Sequence, residues 1–470
     1  MPDSARRALA VAAASLILVA TLAVKVERVA ALHSVMGDFR AFYCSARVMM
    51  AGADPYAAQP LARCEMEPAP LPLFTAKPDV VLPAPLPGYL IAAFTPFALL
   101  PFAVASAAWA LLLLAATAAA IFLLWRLRLG SPLTLLVALA MPVFAISVVA
   151  GEIPPIALLG VALAAWGADR NRPAAVGLGI LLALAEPQLG LACALAALAL
   201  SRRLVVPVLT ALGATLALSL LALGVKGNVE YLATVLPLHI AAELPSVQQY
   251  SLSWVLNRLT VPAAAAILLG RLSYVAMLGL GIWFARSRTA REAPGAAILA
   301  APAFAVVGGP FVHLDHIALA LPAALWLSSR RVPASIPQLV AVIALAVPLL
   351  FVLTAPTMIL MVPFVAGWIG SASGRGMTMG LRAAAAATVA VALVAFVIDK
   401  TGTGVQPMLT QPAVASRLAQ ESWGELIRRT NVMTAWSIWL VKLPTWYGVV
   451  VTAAYCVLSN YRRGRAASSG

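Results

Sequence analysis

Charge is scarce in this chain of 470 residues: only 10% are Asp, Glu, Lys or Arg, against roughly a quarter in ordinary soluble domains. Acids are scarcer than bases, 17 against 32, and histidine occurs four times. With 63% apolar residues and a mean hydropathy of +0.96, the composition excludes a soluble globule, a disordered chain and a nucleic-acid-binding domain. Four cysteines are too few for a disulfide scaffold, and no C-x-x-C pair suggests zinc or thiol redox chemistry. No repeat of fixed period is present, so the repeated halves typical of transporters are missing. The net charge of +15 is then read by position, because basic residues mark the loops of a membrane protein that stay in the cytoplasm.

An apolar run over 8–24 follows Arg6 and Arg7 and is followed by Lys25, Glu27 and Arg28. It is too long for a signal-peptide core and lacks a small-residue cleavage site, so it reads as a retained first span. Basic clusters recur at Arg126 and Arg128, Arg170 and Arg172, Arg202 and Arg203, Arg286 to Arg291, Arg330 and Arg331, Arg375 and Arg382, and Arg462 to Arg465. If all face the cytoplasm, crossings fall near 8–26, 102–125, 133–150, 153–168, 174–200 (a hairpin bent at Pro187), 204–224, 263–285, 294–328 (a pair), 336–370 (a pair), 381–398 and 446–460. That predicts an all-α polytopic membrane protein with about 12–14 crossings and both termini inside. The external face then carries polar stretches over 27–101, 226–262 and 399–445, with all four histidines on or near it. Proline-dense 55–101 predicts an ordered loop with short surface helices.

Asp38, in GDFRAFY (37–43), follows the first span and can serve as a general base or as the N-cap of the next helix, or both. Arg40 and Arg47 lie two helical turns apart; Arg47 suits a phosphate, while Arg40 reads as part of a headgroup-facing stripe. Cys44 and Cys64 share the first loop and can bridge in an oxidising compartment, whereas Cys193 and Cys456 read as packing residues. Glu152, Glu186, Arg271 and Asp315 are ionisable groups at or near membrane depth and therefore functional candidates. The bland alternatives are wetted loop tips for the acids and a snorkelling side chain for Arg271. In HLDH (313–316), His313, Asp315 and His316 suit a phosphate-binding pair, a metal site or an interfacial helix end. A metal wants three or four ligands and no second cluster is obvious, so phosphate contact by His316, supported by Asp315, is favoured. Gln248, Gln249, Tyr250, Ser251, Asn257 and Arg258 suit a hydroxyl-rich ligand or a solvated loop. Trp423, Trp436, Trp439 and Trp446, interleaved with bases, read as an interfacial amphipathic segment.

The order of these segments resembles glycosyltransferase family 87, membrane enzymes of the GT-C fold that include polyprenyl-phosphate-mannose-dependent α-mannosyltransferases. The resemblance runs over 1–330. It rests on Asp38-Phe39, Ala46-Arg47 and Gly52-Ala53-Asp54-Pro55-Tyr56, then Leu99-Leu100-Pro101, Gly151-Glu152, Arg170-Asn171-Arg172-Pro173, Gln249-Tyr250-Ser251, and His316 ahead of Pro322. The chain departs from the family where Glu186-Pro187 replaces Lys-Pro, Glu152 replaces Gln, and Asp315-His316 replaces His-His. The resemblance implies a catalytic membrane module over 1–330 and a variable C-terminal region over 331–470. It implies transfer of a hexose, mannose first, from a polyprenyl-phosphate donor to a hydroxyl of a glycan or glycolipid acceptor. Transfer would take place at the external face of a bacterial-type plasma membrane, with inversion and without a metal cofactor. Asp38 would be the base, with Arg47, Tyr56, Glu186, Gln249, Ser251, Arg258, Arg271, Asp315 and His316 around the donor. A lipid-linked-sugar flippase and a non-catalytic accessory subunit are the rival readings.

Overall fold

A computed structural model describes residues 36–67, 81–330, 333–350, 359, 361–401, 417–430 and 436–468. The span expected near 8–26 lies outside the described residues. Backbone polar groups in an apolar medium must bond within their own segment, and helices do this. Among the described residues the structure is helical, with two isolated bridge pairs and no strand.

The chain opens with α1 (Gly37–Met50) and α2 (Ala58–Glu65), joined by a disulfide between Cys44 and Cys64 with S–S 2.11 Å. Next come α3 (Gly88–Ala98), α4 (Phe102–Arg126) and α5 (Pro132–Val148), then α6 (Pro154–Asp169), α7 (Pro173–Ala183) and α8 (Pro187–Leu200). The helix α9 (Val205–Glu230) bends at Gly224 and runs through a π turn into α10 (Leu236–Glu243). There follow α11 (Leu252–Arg258), α12 (Ala263–Ala285), α13 (Arg288–Glu292), α14 (Pro294–Gly308) and, after a 3₁₀ turn at Asp315–Leu319, α15 (Leu321–Ser329). The last are α16 (Ile336–Ala346), α17 (Met361–Gly370), α18 (Gly376–Thr401), α19 (Ala419–Thr430) and α20 (Ser437–Ser468). Proline begins α5, α6, α7, α8 and α14, where its missing N–H costs nothing and its fixed φ suits the first turn.

Among the described residues, five stretches are long and apolar enough to cross a membrane: Phe102–Arg126, Arg202–Glu243, Ala263–Ala285, Met361–Val397 and Ser437–Ser459. The fourth folds back on itself, since α17 packs against α18. Seven further apolar helices among the described residues are shorter, α3, α6, α7, α8 and α14 included. The 11 residues of α3 extend about 16 Å, half of a ~30 Å hydrocarbon layer. Long helices leave apolar side chains outward, as Leu221 (84% exposed) and Val206 (74%) do on α9. These are faces for lipid. The protein is an all-α polytopic membrane protein.

Small residues set the interior. A Cβ at Gly160 would stand 2.2 Å from the Ala183 amide, and one at Gly179 would stand 2.4 Å from that of Ala164, so α6 and α7 touch backbone to backbone. Helix α14 is buried along nearly its whole length among α6, α8, α12 and α20. Its start meets the end of α6, where Asp169 Oδ1 accepts the Gly295 N–H at 2.5 Å. That end carries Arg170, Arg172, Arg286 and Arg288. The start of α6 and the end of α14 therefore share the opposite, less basic end of the bundle.

Two expected polar loops differ in the structure. The stretch 226–262 is largely helical, because its polar residues are interleaved with apolar ones rather than clustered; His239 and Glu243, four apart on α10, both turn inward. Within 399–445, α19 is helical, and the last helix begins at Ser437, earlier than the expected crossing at 446. Arg40, expected on an exposed stripe, is buried: it donates to the Glu67 carbonyl at 2.5 Å and lies over the Phe102 ring.

The 44–64 bridge closes a 20-residue loop, worth about 3 kcal/mol by chain entropy. Cys44→Ser is expected to lower the unfolding temperature of the detergent-solubilised protein. Equal melting of variant and wild type, with two titratable thiols in native wild type at these positions, would contradict the bridge.

Candidate active site

The backbone of Met36 adopts φ 60°, and its N–H donates to the Val149 carbonyl at 3.0 Å, seating the start of α1 on the turn after α5. That turn has Gly151 at φ 83°, and a Cβ there would stand 2.6 Å from the Phe39 Cβ. Only glycine admits both the dihedral and the approach. Phe39 is wholly buried among Tyr43, Phe94, Phe97, Phe102 and Trp109, with the Trp109 ring stacked at 5.6 Å. Trp109 Nε1–H donates to the Gly151 carbonyl at 2.8 Å, and the amides of Gly151 and Glu152 both donate to Ser147 O. The residues flanking this contact, Asp38 and Glu152, are thereby brought side by side.

Their carboxyl groups share a hydrogen bond, which requires one of them to carry a proton. Burial raises both. It lifts Asp38 to about 6 against the pull of the Glu152 hydrogen bond. Glu152 is pushed well above the ordinary carboxylate range, by burial first and then by the charge of Asp38. Glu152 therefore holds the proton and Asp38 is an ionised, hydrogen-bonded carboxylate near neutral pH. Asp38 occupies the first turn of α1 rather than its N-cap, which is Met36.

The second part of the cluster is Glu186 and His316. Glu186 sits at the N-cap of α8, before Pro187, in a turn clamped from two sides. The Tyr89 hydroxyl donates to Leu184 O and the Tyr274 hydroxyl to Gln188 O, both at 2.5 Å. Glu186 Oε2 lies 3.0 Å from His316 Nε2. The His313 amide donates to His316 Nδ1 at 3.0 Å and the Gln188 amide nitrogen approaches it at 3.4 Å, which leaves the ring hydrogen on Nε2, toward Glu186. Asp315 is buried beside them and its charge reaches both Asp38 and Glu152. The N-termini of α6 and α8 end at Glu152 and Glu186, so their partial positive charge faces the cluster, a setting that favours an anion.

His313 extends the cluster. Its Nε2 is 3.2 Å from Glu243 Oε2, and the other Glu243 oxygen accepts the Trp423 indole N–H from α19. Phe311 stacks on His313 at 4.8 Å and meets His239 at 5.1 Å. Glu243 was missed by sequence reasoning; its four-residue spacing from His239 was the available signal. Among the described residues, the ion pairs of Glu186, Glu243 and Asp315 are made to histidines, not to arginine or lysine.

The other expected donor contacts stand elsewhere. Arg47 pairs with Glu67 at 2.6 Å near the surface. Arg258 lies over the Trp254 ring and donates to Pro245 O at 3.4 Å. Arg271 is exposed on α12. Tyr56 is buried, donating to Leu86 O at 2.7 Å and stacked on Tyr231. Gln249 and Ser251 hold local structure: the Gln249 side chain accepts the Val312 amide, and Ser251 caps α11 by accepting the Trp254 amide. Gln249 also bridges to His313, which ties this loop to the cluster. Lys442, wholly buried, donates to the Gln249 carbonyl and lies over the Trp254 ring.

The polytopic membrane fold thus gathers carboxyl groups and imidazoles at the ends of short helices. Residues 87–310 match the model of glycosyltransferase family 87, and this match supports a membrane glycosyltransferase. The match includes Glu152, Glu186 and Glu243, begins after Asp38 and ends before Asp315. No curated protein and no solved structure matches the chain.

Gly151→Ala combines a strained φ with a clash against Phe39, a cost of about 1–3 kcal/mol. Its expected outcome is a lower unfolding temperature and weakened sugar transfer; unchanged melting would show that the turn does not depend on glycine.

Proposed function

We propose that the protein transfers a hexose, mannose first, from a polyprenyl-phosphate donor to an acceptor hydroxyl at the external membrane face. The observation that carries this reading is the Asp38–Glu152 pair, in which one carboxyl keeps its proton and leaves the other ionised as a base. The acceptor oxygen attacks the anomeric carbon as its proton passes to Asp38. The bond from that carbon to the phosphate oxygen breaks, and polyprenyl phosphate leaves with the electron pair, inverting the centre. The leaving charge meets the N-termini of α6 and α8 and the His316 imidazole, with the neighbouring carboxylates opposing it. The external assignment draws support from Arg170, Arg172, Arg286 and Arg288, which stand at the end of the bundle away from the cluster. The donor class draws support from the match to family 87 and from short helices that bring the cluster near a lipid surface.

Asp38→Asn, purified and incubated with labelled polyprenyl-phosphate mannose and acceptor lipid, is expected to lose transfer by at least about 100-fold while keeping its fold. Turnover at the wild-type rate would remove Asp38 from the mechanism.

The pH dependence has a definite sign. A base that titrates at about 6 is lost as pH falls through that value, so kcat/KM drops about tenfold per unit below it. Glu152→Ala removes the donor that pulls Asp38 down, and the acid limb moves to higher pH. Glu152→Gln keeps an N–H donor and holds the limb near its wild-type position. A limb that stays put in both variants would contradict the pairing.

A further inference from the structure

One corner of the cluster has the makings of an ion site. One ligand atom from each of Glu186, Asp315 and His316 lies within 4.8 Å of the other two, and all three residues are buried. Bonds of about 2.0–2.2 Å place neighbouring donors about 3–4.4 Å apart around a tetrahedral or octahedral ion, so a small closing movement completes the set.

A second observation is independent of that convergence. Asp315 is only 6% exposed, and its carboxylate meets His313 Nδ1 in an ion pair as long as 4.0 Å. A buried carboxylate whose ion pair is one long contact to an imidazole, and which converges on a second carboxylate and imidazole, is suited to a cation. Among the described residues, the ion pairs of this cluster are made to imidazoles, and Asp38 adds a further carboxylate charge.

The geometry points to a divalent-cation site at Glu186, Asp315 and His316, suited to a hard ion of the Mg²⁺ or Mn²⁺ class because two of the three donors are carboxylate oxygens. Binding through His316 Nε2 moves the ring hydrogen to Nδ1 and gives up the bond from the His313 amide, which limits the affinity. The remaining coordination positions are open to phosphate oxygens. The role of the ion rests on the transferase reading: it neutralises the leaving phosphate in a site that otherwise repels it. This departs from the metal independence that the family resemblance implies. The fold supplies Glu186.

The full-length protein, stripped with EDTA, is titrated with Mn²⁺, and the free ion is read by electron paramagnetic resonance. The expected result is one bound Mn²⁺ per chain, with affinity lowered at least about tenfold in Asp315→Asn and in Glu186→Gln. Pulsed resonance on the wild type is expected to show coupling to an imidazole nitrogen, a readout that needs no variant to fold. Mn²⁺ left free by wild type, no nitrogen coupling, or binding unaffected by both substitutions would overturn the site. Binding is read without turnover, so the two readings fail separately. Mn²⁺ bound here without sugar transfer defeats the transferase reading alone; transfer that persists in EDTA with Mn²⁺ left free defeats the ion alone.

Discussion

The contact between Phe39 and Gly151 carries the site. The turn passes close over the Phe39 Cβ and amide nitrogen, and only a glycine with a left-handed backbone lets it pass that near. The residues beside that contact are brought into register with it: Asp38 on one segment, Glu152 on the other. Neither residue lies in a long apolar helix, so neither is positioned by packing of its own. The aromatic cluster around Phe39 supplies the rigidity, and the Trp109 indole fixes the turn by its carbonyl. A carboxylate held this way keeps its orientation without a salt bridge, which would have quenched it as a base.

Short helices serve the same end. A helix that stops halfway through a membrane leaves its N-terminal amides without partners, and these must face water, polar side chains or a ligand. Here two such ends, those of α6 and α8, converge on a cluster of carboxyl and imidazole groups. Tyr89 and Tyr274 secure the turn that carries Glu186, from helices that are far apart in sequence. The acidic residues are thus tolerated by helix dipoles, by protons and by histidines rather than by arginine. The arginines that the sequence offers for phosphate are instead engaged at the surface or on rings, as Arg47 is with Glu67 and Arg258 is with Trp254.

Much of this was legible beforehand. Proline-broken turns singled out Glu152 and Glu186, and the HLDH stretch singled out Asp315 and His316, because ionisable groups are rare in such a chain. That Glu186 would reach His316, 130 residues away, was not legible, since no local pattern encodes a contact between helices. Glu243 escaped notice because the stretch around it reads as a polar loop. Two inward residues on an eight-residue helix are too few to declare a period. The contribution of Trp423 from α19 was equally hidden, as an indole at an interface and an indole bonded to a buried carboxylate look alike in one dimension.

A structure of the protein bound to a non-cleavable polyprenyl-phosphonate sugar would test the central claim most directly. The account predicts the phosphonate at the start of α6 and α8 beside His316, with the anomeric carbon between it and the Asp38 carboxylate. A headgroup bound at another end of the bundle, or Asp38 walled off from the sugar, would contradict it.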